Sequence, residues 1–471
     1  MIRGLLKGSL IYLIGDILVK GVHLISLPII VSQLSAEQFG FYDYILMIAV
    51  IVNTLITLEI TQASARFYPE LTAKKRQEVY TSTAFYFVLT ASLLFMAICS
   101  IYAADLSRLL FSESKESTIL VALAHISVTT LLHLTQRQLK WELNPKGSVT
   151  VGFINASTFL VGLTYFSYTN EITLDTLFLS SSIAAFFATL FSIYKSENSY
   201  RFKVDFDVLK TMLLFSSPLV LSGIGMYIAV HLDRFAILHF LDAEQLGYYS
   251  FASRFALISI LVMTSIQSSL TPLIYKHSNE PTTPEKVSCI FNLFMPVFVF
   301  VSVGALLFSP EVVWLFGSEE YYSAITVLPV LVIASLINGM YIFFPGLFIK
   351  KKTKLISIVT LSSALLNVIL NYLLIPVWGI LGAAYATLIS SILLLLLFYK
   401  LGNQHYEISY SLSSVVIITL SSLMVCFVNH DVVVVSLSAF IVKVLIVLAL
   451  SLCLFYYIKK NGLMKGVVRA G

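Results

Sequence analysis

Charge is scarce in this chain. Asp, Glu, Lys and Arg make up 12% of its 471 residues against 58% hydrophobic residues, and the mean hydropathy is +0.90. A water-soluble globule carries about 25% charged residues. The scarcity therefore excludes a soluble enzyme or binding domain and leaves a polytopic membrane protein, because each crossing takes about 20 mainly apolar residues. Cysteine is scarce as well: Cys99, Cys289, Cys426 and Cys453 lie far apart in apolar segments, with no CxxC or Cys/His spacing. That excludes a disulfide framework and a zinc site and leaves small core hydrophobes. Long polar stretches are missing, since the segment KSENSYRFKVDFDVLK has only 16 residues, so no soluble catalytic domain fits between the spans. There is no phosphate-cradling GxxxxGK[ST], which argues against a built-in ATP motor. Gly223 and Gly225 form only a bare GxG inside an apolar run and read as helix packing.

What is present is a regular series of apolar runs. Six fall at roughly 10–31, 42–63, 80–103, 118–136, 149–168 and 173–194, and six more at 211–238, 247–271, 288–308, 323–349, 355–375 and 380–398. Two further runs, 413–428 and 432–457, have no counterpart in the first half. Fourteen spans follow, divided as an N-terminal lobe (1–200), a C-terminal lobe (201–402) and an added pair of helices with a tail (403–471). The start MIRGLLKGSLIYLIGDILVKGV has a basic beginning, but Asp16 and Lys20 interrupt its apolar stretch and no small-residue cleavage site follows. It reads as a first span and not as a removed signal peptide.

Positive charge tests the count, because Lys and Arg of short loops stay on the cytoplasmic side. With the amino terminus inside, 24 of the 30 basic residues fall inside, Arg108 and Lys115 fall outside, and four lie within spans. A wrong count would scramble this bias from the error onward. Both termini are therefore expected in the cytoplasm.

The stretch LSAEQFGFYDYI (Leu34–Ile45) returns 207 positions later as LDAEQLGYYSFA (Leu241–Ala252), with six of twelve positions identical. An internal duplication explains it. Both copies follow an outward-going span, so the halves are parallel repeats about an axis along the membrane normal, with a substrate path expected between them. The copies are expected at the outer surface, with Glu37 and Glu244 solvated, Gly40 or Gly247 making the turn, and the aromatics at the interface.

Ionisable residues inside a bilayer cost at least about 2.5 to 3.5 kcal/mol each and usually face a partner or a wet cavity. Asp16 and Lys20 share one face of the first span, with His23 three residues on. Glu59 lies toward the inner end of the second span, Asp233 and Arg234 toward the outer end of the seventh, and Arg254 in the outer half of the eighth. Asp16 and Lys20 either neutralise one another or line the cavity; Asp233 and Arg234 either form a structural pair near the interface or meet substrate. Arg254 has no carboxylate three or four residues away, and a guanidinium suits a phosphate bidentately. Lys443 on the last span is isolated and reads equally as a lipid-facing groove or a hydrogen-bonded packing site. His125, His133, His231 and His239 show no ligand-like clustering and read as polar packing. Asn53, Gln267, Asn367 and Asn371 are candidates for sugar hydroxyls, with interhelical hydrogen bonding as the competing role. Aligning the halves places Gly223 opposite Asp16, Tyr227 opposite Lys20, and Ser26 and Leu27 opposite Asp233 and Arg234. The halves share apolar rhythm but not charge.

The segments FSSPLVLSGIGMYIAVHLDRFAILHFLDAEQLGYYSFASRFA and IKKKTKLISIVTLSSALLNVILNYLLIPVWGILGAAYATLISS carry a family resemblance. Pro218, Asp233-Arg234, Gly247-Tyr248, the basic run before span eleven, Asn367, Asn371, Pro376, Gly379 and Gly382-Ala383-Ala384 occur in family order. They resemble the polysaccharide exporters of the multidrug/oligosaccharidyl-lipid/polysaccharide flippase superfamily, a MATE-like group. The resemblance implies two six-helix lobes in a V around a central cavity. It also implies a flippase of the bacterial inner membrane for an undecaprenyl-pyrophosphate-linked oligosaccharide, such as an O-antigen or capsule repeat unit in lipopolysaccharide biosynthesis. Relatives that flip the peptidoglycan precursor keep cations in the cavity and use their last two helices for the lipid tail. Here Lys20, Arg234 and Arg254 are the available cations.

The expected mechanism is alternating access without bond making: Lys20 and Arg254 hold the pyrophosphate, and Asp16 or Glu59, with Asp233 as a further cavity acid, takes up a proton or sodium ion. No cofactor, metal or nucleic acid is expected; membrane lipid, a polysaccharide polymerase and a chain-length regulator are the expected partners. The rivals are a cation-coupled drug antiporter of the same superfamily and a membrane polymerase or glycosyltransferase. The second would need a sizeable outer loop, and the segments Asp105–Ser117 and Ser309–Tyr322 are short.

Overall fold

A backbone in hydrocarbon has no water to bond, so an apolar run of spanning length satisfies its own amides as a helix. In the computed structural model, which describes residues 2–71, 73–111, 115–196, 200–278, 280–410 and 437–460, the regular structure is helical. Ten helices among the described residues are long and apolar enough to cross a bilayer, and shorter apolar stretches lie at Ile17–Val31 and Phe440–Ala449. The protein is an all-α, multi-pass membrane protein. The thirteenth run (413–428), with Cys426, Lys465 and Arg469, lies outside the described residues.

The chain parts into two compact units, Met1–His231 and Leu232–Gly471. The first contains α1 (Ile2–Val31), α2 (Ala36–Thr57), α3 (Ile60–Phe67), α4 (Lys74–Ile101), α5 (Ala103–Phe111), α6 (Glu116–Trp141), α7 (Pro145–Tyr168) and α8 (Leu174–Lys195). It also takes most of α9 (Phe206–Phe240), whose helical geometry is interrupted at His231 (φ −114°, ψ 15°). Met212 is buried with Ile60, Ala63, Ala84, Val88 and Leu134, and Val208, Leu209 and Leu213 pack on that cluster. The segment before α9 is strapped to α4. Arg201 Nε lies 3.7 Å from Glu78 Oε2, the amides of Arg201 and Asp205 donate to Ser82 Oγ and Thr83 Oγ1, and Tyr200 and Phe202 set their rings against Phe85 and Tyr86.

The second unit holds α10 (Ala243–Lys276), α11 (Thr283–Phe316), α12 (Ala324–Gly339), α13 (Gly346–Ile349), α14 (Thr353–His405) and α15 (Leu437–Lys460). At 53 residues, α14 carries the eleventh and twelfth runs, which meet at Gly379 (φ 59°, ψ −141°). That backbone conformation is open essentially to glycine alone. Three residues on, a Cβ at Gly382 would run into the carbonyl of Leu374, so the small residues after Pro376 make a close fold-back.

The repeated stretch has a definite local job. Ser35 caps α2 in a capping box, accepting from the Gln38 amide while Gln38 Oε1 accepts from the Ser35 amide. Asp242 caps α10 by accepting from the Gln245 amide at 2.8 Å. Ala36, Phe39 and Tyr42 are buried, as are Ala243, Leu246 and Tyr249, the inward face of a helix at successive turns. The expected role of the glycines is corrected here: Gly40 and Gly247 are buried within α2 and α10 and make no turn.

Candidate functional site

The run expected at 42–63 is two helices. Between α2 and α3, Leu58 (φ 45°, ψ 37°) and Glu59 (φ 54°, ψ 25°) both adopt the left-handed conformation, which costs a non-glycine residue about 1 to 2 kcal/mol. Packing holds the strained pair in place. On one side the Thr57 hydroxyl donates to the Asn53 carbonyl; on the other Arg137 Nη1 donates to Thr61 Oγ1 at 3.1 Å, and Ile60 and Ala63 are buried against α4 and α6. Glu59 is half-buried. Its Oε1 lies 3.0 Å from where a Cβ on Gly223 would stand, and Thr54 Cγ2 lies 3.7 Å from the same point. The carboxylate thus rests on bare backbone of α9. Glu59 stands between the carbonyl end of α2 and the amide start of α3, which it precedes as the N-cap.

No glycine or proline marks this break, which is why the apolar rhythm read as one span; the polar run Thr57-Leu58-Glu59-Ile60-Thr61-Gln62 is the signal that could have shown it. Gly223, read from sequence as helix packing, is the residue opposite Glu59. Asn53 is half-buried one turn before the break.

Of Asp16 the structure describes the helical backbone alone. Lys20 is exposed on α1, and Val19, its neighbour, faces Gly152 of α7. Among the described residues neither the Lys20 ammonium nor the Glu59 carboxylate has a hydrogen-bond or ion-pair partner. His23 sets its ring 6.1 Å from Phe159.

The second unit ties most of its polar residues into packing. Tyr249 donates its phenol to Asp233 Oδ2, the Arg234 amide donates to Asp233 Oδ1, and Arg234 Nη2 donates to Ser253 Oγ at 2.8 Å. The pair therefore latches α9 to α10. Arg254, with no carboxylate three or four residues away on α10, is half-buried and engaged with a neighbour. Gln267 donates to the Tyr341 hydroxyl at 2.7 Å. Asn371, fully buried, donates to the Asn367 carbonyl and amide oxygens, while Asn367 donates to Ser390 Oγ across the fold-back of α14. Lys443, isolated in sequence, donates to Glu311 Oε1 of α11 at 2.7 Å, with the two side chains 20% and 12% exposed. No group of three or more His, Cys, Asp or Glu able to hold a metal occurs among the described residues.

Sequence comparison matches residues 29–281 to the family described as polysaccharide biosynthesis protein. Lsg locus putative protein 1 of Haemophilus influenzae is 24% identical over 375 residues, covering 77% of this chain and 89% of its own. The probable low-salt glycan biosynthesis flippase Agl15 of Haloferax volcanii is 29% identical over 192 residues, 40% of this chain and 41% of its own. Among solved structures, the lipid II flippase MurJ in an inward closed conformation superposes with a TM-score of 0.71 at 18% identity, over 95% of this chain and 99% of that one. An inward-facing multidrug resistance MATE family transporter of the MOP superfamily gives 0.63 at 16% identity, over 82% and 95%. At such identities the likeness establishes a shared fold.

Proposed function

The chain belongs to the polysaccharide biosynthesis protein family, and from that premise we propose that it flips an undecaprenyl-pyrophosphate-linked oligosaccharide, an O-antigen or capsule repeat unit, from the cytoplasmic to the outer leaflet of a bacterial inner membrane. It is a flippase-like transporter of the MOP superfamily and not an enzyme. Saccharide cargo on a lipid carrier is supported by the similar proteins, a probable glycan biosynthesis flippase and a lipid II flippase.

The observation that carries the mechanism is how the ionisable groups in apolar helices divide. Asp233, Arg234, Glu311 and Lys443 are bound into the fold, whereas the side chains of Lys20 and Glu59 have no hydrogen-bond or ion-pair partner among the described residues. A cation and a carboxylate kept available at a cost of several kcal/mol in hydrocarbon suit an anionic cargo and a coupling ion. In this reading Lys20 attracts the pyrophosphate, with Arg254 as the second unit's candidate. Glu59, seated on Gly223 at a broken helix, takes the proton or sodium ion that resets the transporter, with Asp16 as its alternate; broken helices serve this purpose in other transporters. The sugars and pyrophosphate cross in a wet passage while the prenyl tail stays in lipid, so exposure changes and no bond does.

In proteoliposomes carrying lipid-linked oligosaccharide, Lys20→Ala is expected to slow translocation at least tenfold, and Glu59→Gln to remove its response to proton and sodium gradients. Gly223→Ala, which crowds the Glu59 carboxylate, is expected to shift that response while the protein still inserts. Unaltered rates for Lys20→Ala sink the pyrophosphate role, and an unaltered gradient response in Glu59→Gln sinks the coupling role. A drug antiporter would instead move cationic dyes in the same vesicles and ignore the lipid-linked glycan.

A further inference from the structure

Four lysines stand within five residues at the start of α14: Lys350, Lys351 and Lys352 before it and Lys354 in its first turn, all exposed. Retention of a loop in the cytoplasm needs positive charge but no particular shape. This segment has a shape. The Lys352 amide donates to the Leu347 carbonyl, the Lys351 amide to Phe348, and the Lys350 amide to Gly346, closing α13 with the six-to-one bond of a Schellman turn. The left-handed position of such a turn ordinarily holds glycine; here Lys351 occupies it, at φ 54°. The turn is also anchored. A Cβ on Gly346 would run into the Gly402 carbonyl, and Phe348 stacks on Phe398 with centroids 5.7 Å apart and planes at 8°.

The charge of the turn is uncompensated. Arg201 and His277 have carboxylate partners in Glu78 and Glu280, but none of the four lysines pairs with a described residue. The first turn of α14 contains no acid, so the partial positive charge of the helix start adds to theirs. Beside them, within two residues of Lys350, Phe348 lines a cavity of about 60 Å³ whose other walls include Gln267, Thr271, Tyr275, Tyr341 and Pro345. Gln267 and Tyr341 bond one another there at 2.7 Å, leaving the amide oxygen and a phenol lone pair able to accept from a hydroxyl. The volume admits the hydroxylated end of a headgroup, about two waters' worth of space.

We propose that this face of the second unit is a binding site for an anionic phospholipid of the cytoplasmic leaflet, with the phosphodiester on Lys350–Lys354 and a hydroxylated headgroup reaching Gln267 and Tyr341. A lipid is the fitting occupant because the turn runs directly into a membrane-spanning helix, at the level of the headgroups, where anionic lipids gather on basic side chains. The site rests on the cytoplasmic placement of the basic loops and is independent of what the protein transports.

The test is native mass spectrometry of the full chain in detergent, titrated with phosphatidylglycerol and with phosphatidylcholine. The unaltered protein is expected to retain phosphatidylglycerol preferentially. Affinity should fall about fivefold for each of Lys350→Gln, Lys351→Gln, Lys352→Gln and Lys354→Gln combined stepwise. Lys74→Gln, Lys75→Gln and Arg76→Gln, in a second exposed basic run, should leave the affinity as it was. Tyr341→Phe, which keeps the ring and removes the hydroxyl, should reduce the preference for phosphatidylglycerol over phosphatidic acid. Equal losses from both basic runs would show a generic attraction of charge and overturn the site. So would displacement of the lipid by millimolar inorganic pyrophosphate but not by sulfate at the same ionic strength, which would assign the lysines to the cargo.

Discussion

At the scale of single residues, Glu311 and Lys443 show how a costly charge is made tolerable. Each sits in an apolar helix, and together they form one ion pair between α11 and α15, flanked by Phe308 and Phe440 with ring centroids 5.8 Å apart. Removing one member leaves the other charge unpaired in a low-dielectric place, at a cost of about 3 to 5 kcal/mol. Removing both leaves neither. Lys443→Met alone and Glu311→Gln alone are therefore expected to lower the thermal unfolding midpoint in detergent by more than the double variant does, and a strictly additive double variant would refute the pairing. Sequence placed Lys443 in a span but could not find its partner, because Glu311 lies 132 positions away in a segment that read as an outer loop. The same limit applied to Asp233. Its two-residue motif was legible, while its bond from Tyr249 depends on α9 and α10 meeting, which no local pattern encodes.

At the scale of elements, the twelve apolar runs of the two halves fall on helices, the second (42–63) and tenth (323–349) each on more than one, because length and hydropathy dictate that much. The interruptions divide into two kinds. Gly379 was visible, since a glycine after Pro376 between two apolar runs is a turn with a mechanism. The break at Leu58–Glu59 was hidden, since residues that ordinarily avoid the left-handed region are held there by the tertiary packing of α3. The repeat was visible as a repeat, yet its work, capping a helix and burying the face behind the cap, emerged only once Ser35 and Asp242 were seen to accept from the amides three residues on. Ser35→Ala and Asp242→Ala should each destabilise the protein by about 1 kcal/mol, and Glu37→Ala by less. Gly379→Ala should cost about 1 to 3 kcal/mol more than an alanine elsewhere in α14. Thermal unfolding of purified variants checks the order, and an uncapped variant as stable as the parent would remove the capping role.

At the scale of the whole molecule, the distribution of Lys and Arg makes a statement about sidedness that labelling can check. In a chain freed of its four cysteines, Glu37→Cys and Glu244→Cys should react with an impermeant maleimide added to intact spheroplasts. Lys350→Cys should react only after the membrane is opened. Reaction of Lys350→Cys in intact cells would invert the topology. The limits of the compact units have a consequence for how the protein is made. The duplication repeats at 207 residues, but the first unit runs to His231 and covers Ile60, Ala63 and Ala84 with Val208, Leu209, Met212 and Leu213 of α9. A ribosome that has released six spans has not yet supplied that cover. The first half of the newborn chain must wait in the membrane, with one flank bare, until the opening helix of the second half arrives.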